Sequence, residues 1–500
     1  LDVKGKPGRV SRKQFLGAGG AGAAAFVLGA LGTQSGPLGA LGARGALGQE
    51  APRTEGYGPL GPSNGPDLLL PQGFRYRVIS RQGEPMSDGN PTPGIFDGMG
   101  AFPGPRGTTI LIRNHENRRR PGEIPVVVPA DKRYDADPTY TAGDTKVVLD
   151  RRGNVTRSFA ILGGTDTNCA GGETPYGTWI TCEEVVNRSA AGVKHGYIFE
   201  IDAYAEGPVD AVPIRSAGRM SHEAVAYLDG ILYETEDRSI SRDGGACFYR
   251  YIPEGDDGDD RGRGRDDDDR ERLPDGGRLQ ALKLRDEDRA NMDTGRPVGQ
   301  AYPVEWVDVP VPDHDDDTDQ LRSGPDNLLP TRFQAQNRGA ALFDREEGIW
   351  VGDGKIYFDC TFGGAQNLGQ VWEYDPNEET ITLIYESSDP TALQNPDNVV
   401  IVPRTGDIFL QEDGPDEDGQ FVRGLTEDGE IYDFARTVTN STEFCGGCFS
   451  PDGNTFFLNQ QGERGGPVSD GGQPVPNAVT YAITGPFARR RRGGNGRNDD

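Results

Sequence analysis

Carboxylates that recur where short apolar runs begin or end are the residues of this chain that could do chemistry. Glu116 closes Asn114-His115-Glu116 after the run Thr109-Ile-Leu-Ile112, and Glu184 closes Cys182-Glu183-Glu184 after Trp179-Ile-Thr181. Glu223 stands in Ser221-His222-Glu223 just before Ala-Val-Ala-Tyr227, while Glu236 and Asp237 end the run that starts near Tyr233. Arg345-Glu346-Glu347-Gly348, Asn395-Pro396-Asp397-Asn398 and Gln411-Glu412-Asp413-Gly414 repeat the theme. Cys169 lies in Asn168-Cys-Ala-Gly-Gly172, a glycine-rich bend that lets a thiolate come close to an ion. Taken singly, each motif reads as an exposed strand end. Together, eight of them after eight apolar runs read as one convergent site. Converging carboxylates repel one another and need cations: oxygen-only sets select Ca2+ or Mg2+, and one thiolate among them favours a transition metal such as iron. Successive strand residues face opposite ways, so only one of Glu183 and Glu184 points inward, and the same parity separates Glu236 from Asp237. Glu236 is counted here among the candidate ligands.

Other chemistries have little support. Four histidines (His115, His195, His222 and His314) are too few for a histidine zinc site, and His115 and His222 read as packing or supporting residues. No G-x-S-x-G elbow and no P-loop occurs. Six cysteines are too few and too scattered for a disulfide scaffold, and Cys445-x-x-Cys448 reads as a local disulfide or two packed thiols ahead of a metal site. A net charge of −27 excludes a general nucleic-acid binder, which needs Lys and Arg on one face. Only eight of the 52 basic residues are Lys, and an acidic, lysine-poor surface fits a halophilic source, where salt screens self-repulsion.

The elements that must position these residues are strands. Ala160-Ile-Leu162, Gly196-Tyr-Ile-Phe-Glu-Ile201, Lys355-Ile-Tyr-Phe-Asp359 and Asn398-Val-Val-Ile-Val402 are β-branched or aromatic runs bounded by Gly and Asp. Asp353-Gly354 and Asp428-Gly429 signal tight hairpins, and Ser450-Pro-Asp-Gly-Asn-Thr-Phe-Phe-Leu458 reads as a turn feeding a strand. Strands at this spacing over about 400 residues predict an all-β fold, a β-propeller with six blades expected, spanning 49–487. Two acidic insertions, 254–275 and 312–326, have almost nothing to bury and are expected to be disordered loops, as is the Arg/Gly/Asp tail 488–500. The N-terminus carries Arg9-Val-Ser-Arg-Lys-Gln-Phe-Leu16 followed by a Gly/Ala-rich apolar run to about Leu47. A basic stretch before a short apolar one predicts an export signal over 1–48, resembling the twin-arginine type with Lys13 in the second arginine's place, and hence export by the Tat machinery to the periplasm, cell surface or medium.

The stretch Gly163-Gly-Thr-Asp-Thr-Asn-Cys169-Ala-Gly-Gly-Glu-Thr-Pro-Tyr-Gly-Thr-Trp-Ile-Thr-Cys-Glu-Glu184 resembles the signature of the PhoX-type alkaline phosphatases (DUF839). The resemblance continues through Asn114-His-Glu116, Ser221-His-Glu-Ala-Val225, Glu236-Asp237, Arg345-x-Glu347-Gly348 and Asn395-Pro-Asp-Asn398. It implies a Tat-exported, monomeric, six-bladed propeller that hydrolyses phosphate monoesters at a centre of Fe3+ and Ca2+ ions. By motif it places an iron-bound cysteine at Cys169, iron-binding glutamates at Glu184 and Glu223, a further ligand at Glu347 and a phosphate-gripping arginine at Arg345. Glu116 and Asp397 look like additional ligands. Tyr176 and Glu346 depart from the pattern, standing where the family carries Trp and Pro. Two other readings stay open: a propeller hydrolase acting on a phosphodiester or lactone, and a non-catalytic secreted propeller with structural calcium.

Overall fold

Short apolar runs separated by tight turns satisfy their backbone groups only by pairing edge to edge. In the computed structural model, which describes residues 56–254, 273–415, 419–462 and 478–487, they do so as antiparallel sheets. Six inner strands matter most: β1 (Phe96–Pro103), β2 (Asn168–Glu173), β3 (His222–Leu228), β4 (Glu346–Gly352), β5 (Pro396–Ile401) and β6 (Phe444–Phe449). Each packs on the next, and β6 returns to β1. Each pairs with the strand that follows it in sequence, for example β1 with Thr109–His115 and β4 with Lys355–Cys360. Further strands extend outward. Ala301–Asp308 joins the outer edges behind β3 and β4, pairing with Gln280–Leu284 along one half and with Thr380–Thr382 along the other. The ring closes between the two ends of the chain, where Arg75–Arg81 pairs with Val479–Thr484. The fold is all-β and propeller-like, with two short α-helices among the described residues, Ile240–Asp243 and Thr331–Gln336.

Each inner strand is bulged near its start, between Phe96 and Met99, Asn168 and Gly171, His222 and Val225, Glu346 and Ile349, Pro396 and Asn398, and Cys445 and Cys448. A bulge breaks the alternation of faces and re-aims a side chain. Small residues at the bulges let neighbouring strands touch. A Cβ on Gly348 would lie 2.5 Å from the Val399 nitrogen and 2.7 Å from the Asn398 Cα, and one on Gly98 would lie 2.6 Å from the Ala170 Cα. The Asp353-Gly354 hairpin forms as expected, both residues in the left-handed region (φ 49° and 76°) between paired Gly352 and Lys355.

The core lies between sheets. Phe248 stacks on Phe358 at 4.5 Å, and Phe409 on Phe434 at 4.4 Å. A buried ring of this kind contributes roughly 1.5–3 kcal/mol over leaving it in water.

The acidic segment 312–326 is not a disordered loop outside the core: His314 and Asp319 are buried in it. Asp319 accepts from Arg332 Nη1 at 2.7 Å and Arg238 Nε at 2.6 Å, and the fully buried Arg219 donates to the carbonyls of His314 and Asp316. The segment buries charge rather than apolar surface, with arginines supplied from elsewhere in the chain. Most of the other insertion, the 1–48 export signal and the 488–500 tail lie outside the described residues.

Candidate metal centre

The bulge brings one side chain from each inner strand to the same end of the ring: Asp97, Cys169, Glu223, Glu347, Asp397 and Cys445. Among the described residues, four sets of three could each hold an ion, every member offering a donor atom within 4.8 Å of the others. They are Cys169/Glu184/Glu223, Glu223/Glu347/Asp397, Asp397/Asp413/Glu443 and Asp97/Glu443/Cys445. Shared members link the first two sets through Glu223, the second to the third through Asp397, and the third to the fourth through Glu443.

A second tier follows the adjoining strand of each sheet, at Glu116, Glu184, Asp237, Thr361, Asp413 and Gln461. One hydrogen bond fixes all six. Their backbone N–H groups donate to the carbonyls of Ile95, Thr167, Ser221, Arg345, Asn395 and Glu443, the residues just before the inner strands, at 2.8–3.2 Å. Beneath this tier, side chains clamp the bulge of the next inner strand. Asn114 Nδ2 donates to the Cys169 carbonyl at 3.0 Å, Thr235 Oγ1 to that of Glu347 at 2.6 Å and Asn459 Nδ2 to that of Asp97 at 2.6 Å. Ring closure and donor placement are thus one construction.

Crowding sets the electrostatics. Burial raises the Glu223 carboxyl well above its ordinary range, and Asp397, Glu184 and Asp97 push it the same way. Burial and Asp237 do this to Glu347, with Arg345 opposing, and burial with Asp97 and Asp413 does it to Asp397. Burial, then Glu223, raises the Cys169 thiol, whose Sγ lies 2.7 Å from Glu223 Oε2. Such a set is stable as anions only beside cations. The donors fit hard cations where all are oxygen and a transition metal where a thiol joins.

Of the sequence-derived candidates, Cys169, Glu184, Glu223, Glu347 and Asp397 come together. Glu236 does not. Its Oε2 accepts from the Tyr249 hydroxyl at 3.0 Å and its Oε1 lies 3.3 Å from Arg332 Nη1, so it faces away from the ring. Parity is the reason: the strand ends at Glu236, and Asp237 is the residue turned inward. Glu116 reaches the rim, paired with Arg118 and accepting from Gln461 Nε2 at 2.8 Å, and belongs to none of the four sets. Cys169 sits on an inner strand rather than in a bend. The Cys445-x-x-Cys448 pair is not a disulfide. The bulge turns the two thiols apart, Cys448 into the apolar cluster with Met99 and Leu111, and Cys445 toward Asp97 and Glu443. Asp97, Glu443, Cys445 and Asp413 join the donor sets without having been singled out as candidate ligands from the sequence. For Asp97 a signal exists, a polar residue, a small one, then an apolar one, as in Asp97-Gly-Met, Glu223-Ala-Val and Glu347-Gly-Ile; Glu443, Cys445 and Asp413 do not carry it.

Arg345 occupies left-handed backbone (φ 55°), which costs about 1–3 kcal/mol and turns its side chain into the site. Its Nε and Nη2 pair with Asp237 at 2.8 and 2.9 Å, and Nη2 also meets Glu347 Oε1 at 2.8 Å. Nη1 has no partner among the described residues. Glu346, beside it, points the other way and accepts from the Glu236 N–H at 3.2 Å.

Residues 55–463 match the family described as alkaline phosphatase PhoX. The chain belongs to the PhoX family. That family is one of phosphoric monoester hydrolases, and in this PhoX chain the matched span contains every residue of the four donor sets. No curated protein matches the sequence. Among solved structures, Pseudomonas fluorescens PhoX in complex with vanadate, a transition state analogue, superposes with a TM-score of 0.61 at 18% identity, covering 84% of this chain and 96% of that one. That likeness shows a common fold. A protein of unknown function from Dyadobacter fermentans gives a TM-score of 0.42 at 10% identity over 83% and 100% of the two chains, too distant to carry an argument.

Proposed function

We propose that this PhoX chain is an exported, monomeric, six-bladed propeller that hydrolyses phosphate monoesters at a Ca2+/Fe3+ centre. The observation that carries the reading is the ring of bulged inner strands, which turns four carboxylates and two thiols to one end beside Arg345. The six-blade count rests on the six inner strands, each heading its own run of outward strands. Iron is assigned by the thiol of Cys169 beside Glu184 and Glu223, calcium by the all-oxygen sets around Asp397. Export by the Tat route rests on the Ser11-Arg-Lys-x-Phe-Leu16 motif.

Phosphoryl transfer needs positioning and charge stabilisation more than covalent work by the protein. Cations held by the ring supply charge against the phosphoryl oxygens and acidify water. The chain supplies the rest. Asp237 orients the Arg345 fork by a two-point pair and leaves Nη1 to donate to a phosphate oxygen. The clamps from Asn114, Thr235 and Asn459 keep the donors from drifting as charge develops.

The test is p-nitrophenyl phosphate turnover by the purified protein with and without a calcium chelator, alongside elemental analysis. Turnover that the chelator abolishes, with iron and calcium both bound, supports the reading. Calcium without iron and no turnover would favour the non-catalytic propeller, and activity confined to a diester or a lactone would favour the other hydrolase.

A further inference from the structure

Arg118 is a cation at the centre to which neither the sequence motifs nor the family resemblance gives a role. It follows Glu116 and Asn117 at the end of the second strand of the β1 sheet. Its Nη2 pairs with Glu116 and lies 2.7 Å from Glu184 Oε2, tying the rim of one sheet to that of the next. The side chain stays 27% exposed, so solvent reaches it beside the donor ring. Its Nε is buried with no hydrogen-bond partner, and Nη1 has none among the described residues. A buried donor left unmade is costly, and it points to an acceptor that arrives from outside the protein.

Its position narrows what that acceptor is. Glu184 lies beside both arginines: it bonds Arg118 directly, and its charge is felt at Arg345. Arg118 therefore holds this carboxylate while Arg345 lies close enough to feel its charge, and each arginine has a guanidinium nitrogen unspent. The ring is otherwise anionic, and a dianionic ester entering it needs donors at the mouth. A planar guanidinium with free nitrogens matches two oxygens of a tetrahedral oxyanion.

We propose that Arg118 is a second arginine that contacts the phosphoryl oxyanion, acting from beside Glu184 together with Arg345. The proposal rests on the phosphatase reading for its ligand class, and binding of inorganic phosphate and vanadate tests it apart from turnover.

The experiment measures phosphate and vanadate binding by calorimetry on wild type, Arg118→Gln and Arg118→Lys, with iron and calcium content determined on the same samples. Expected are a loss of about tenfold or more in affinity for Arg118→Gln, the loss of one charge-assisted hydrogen bond, only partial recovery in Arg118→Lys, and metal content unchanged in both. Three results overturn it. Unchanged affinity in Arg118→Gln removes the contact. Full recovery by lysine assigns charge screening alone. Affinity that falls together with metal content makes Arg118 a brace for Glu116 and Glu184. Should wild type bind vanadate in an Arg118-dependent way yet hydrolyse no monoester, the phosphatase reading falls and this one stands.

Discussion

Replacing Arg345 by lysine keeps the charge and removes the fork. In the structure that fork spends Nε and Nη2 on Asp237 and Nη2 again on Glu347, leaving Nη1 without a hydrogen-bond partner among the described residues. A lysine ammonium can satisfy Asp237 or Glu347, but it cannot hold both and still present an aimed donor to a phosphate oxygen. Losing one charge-assisted hydrogen bond costs about 1.5–3 kcal/mol, or about a ten- to hundredfold fall in kcat/KM. Stability should move by about 1 kcal/mol or less, since a cation remains beside Asp237 and Glu347. Alanine is the poorer test, because it leaves two buried carboxylates facing each other and confounds folding with function. The assay is p-nitrophenyl phosphate kinetics with vanadate inhibition and bound calcium and iron on one preparation. Wild-type kcat/KM would refute the phosphate contact. A fall in kcat/KM accompanied by lost calcium would refute it differently, showing that Arg345 acts by holding Glu347.

Further expectations are sharp enough to measure. Cys169→Ala should lower bound iron and activity while far-ultraviolet circular dichroism stays unchanged; unaltered iron content would remove Cys169 from the ligand set. Gly348→Ala would drive a Cβ against the backbone of Val399 and Asn398, so it should open the ring and lower bound metal; full metal content at wild-type stability would contradict the close strand contact. Asp319→Ala removes the nearer of the two carboxylates that face the fully buried Arg332, leaving Glu236, and also the carboxylate of Arg238, and should cost about 3 kcal/mol by denaturant titration. Burial lifts the Glu173 carboxyl to about 7, against the Ala101 N–H that favours its anion. A carboxyl raised on folding destabilises as it ionises. The penalty is absent at pH 4, grows from about pH 4.5 and levels off above pH 7, at no more than about 3.5 kcal/mol at about 1.4 kcal/mol per pKa unit. Glu173→Gln should therefore stabilise the protein at pH 8 and leave it unchanged at pH 4, and an equal effect at both would exclude the titration.

What could be read from the sequence follows from which constraints are local. Strand runs and the Asp353-Gly354 hairpin are written in adjacent residues, and from them came the all-β fold; carboxylates at the ends of apolar runs, together with the family resemblance, gave seven candidate ligands, of which five come together. Glu236 failed for a reason one residue wide. Strand parity offers two faces, and only the hydrogen bond from the Asp237 N–H to the Ser221 carbonyl decides where the strand stops and which carboxylate turns inward. Asp97 precedes its apolar run instead of closing one, so a pattern of carboxylates at strand ends passes it by, and only the bulge brings it beside Cys445. Cys445 itself was paired with Cys448 by proximity in sequence, whereas three-dimensional closure pairs it with Asp97, 348 positions away in the chain. The segment 312–326 makes the same point in reverse. Its composition lacks apolar residues, and composition predicts burial only when burial is hydrophobic. Here Arg219, Arg238 and Arg332, supplied by other stretches of the chain, receive its carbonyls and carboxylates in the interior. Arg238 donates from its side chain to Asp319 and accepts the Arg345 N–H at its own carbonyl, so the segment expected to be a disordered loop is two hydrogen bonds from the arginine proposed to hold the phosphate.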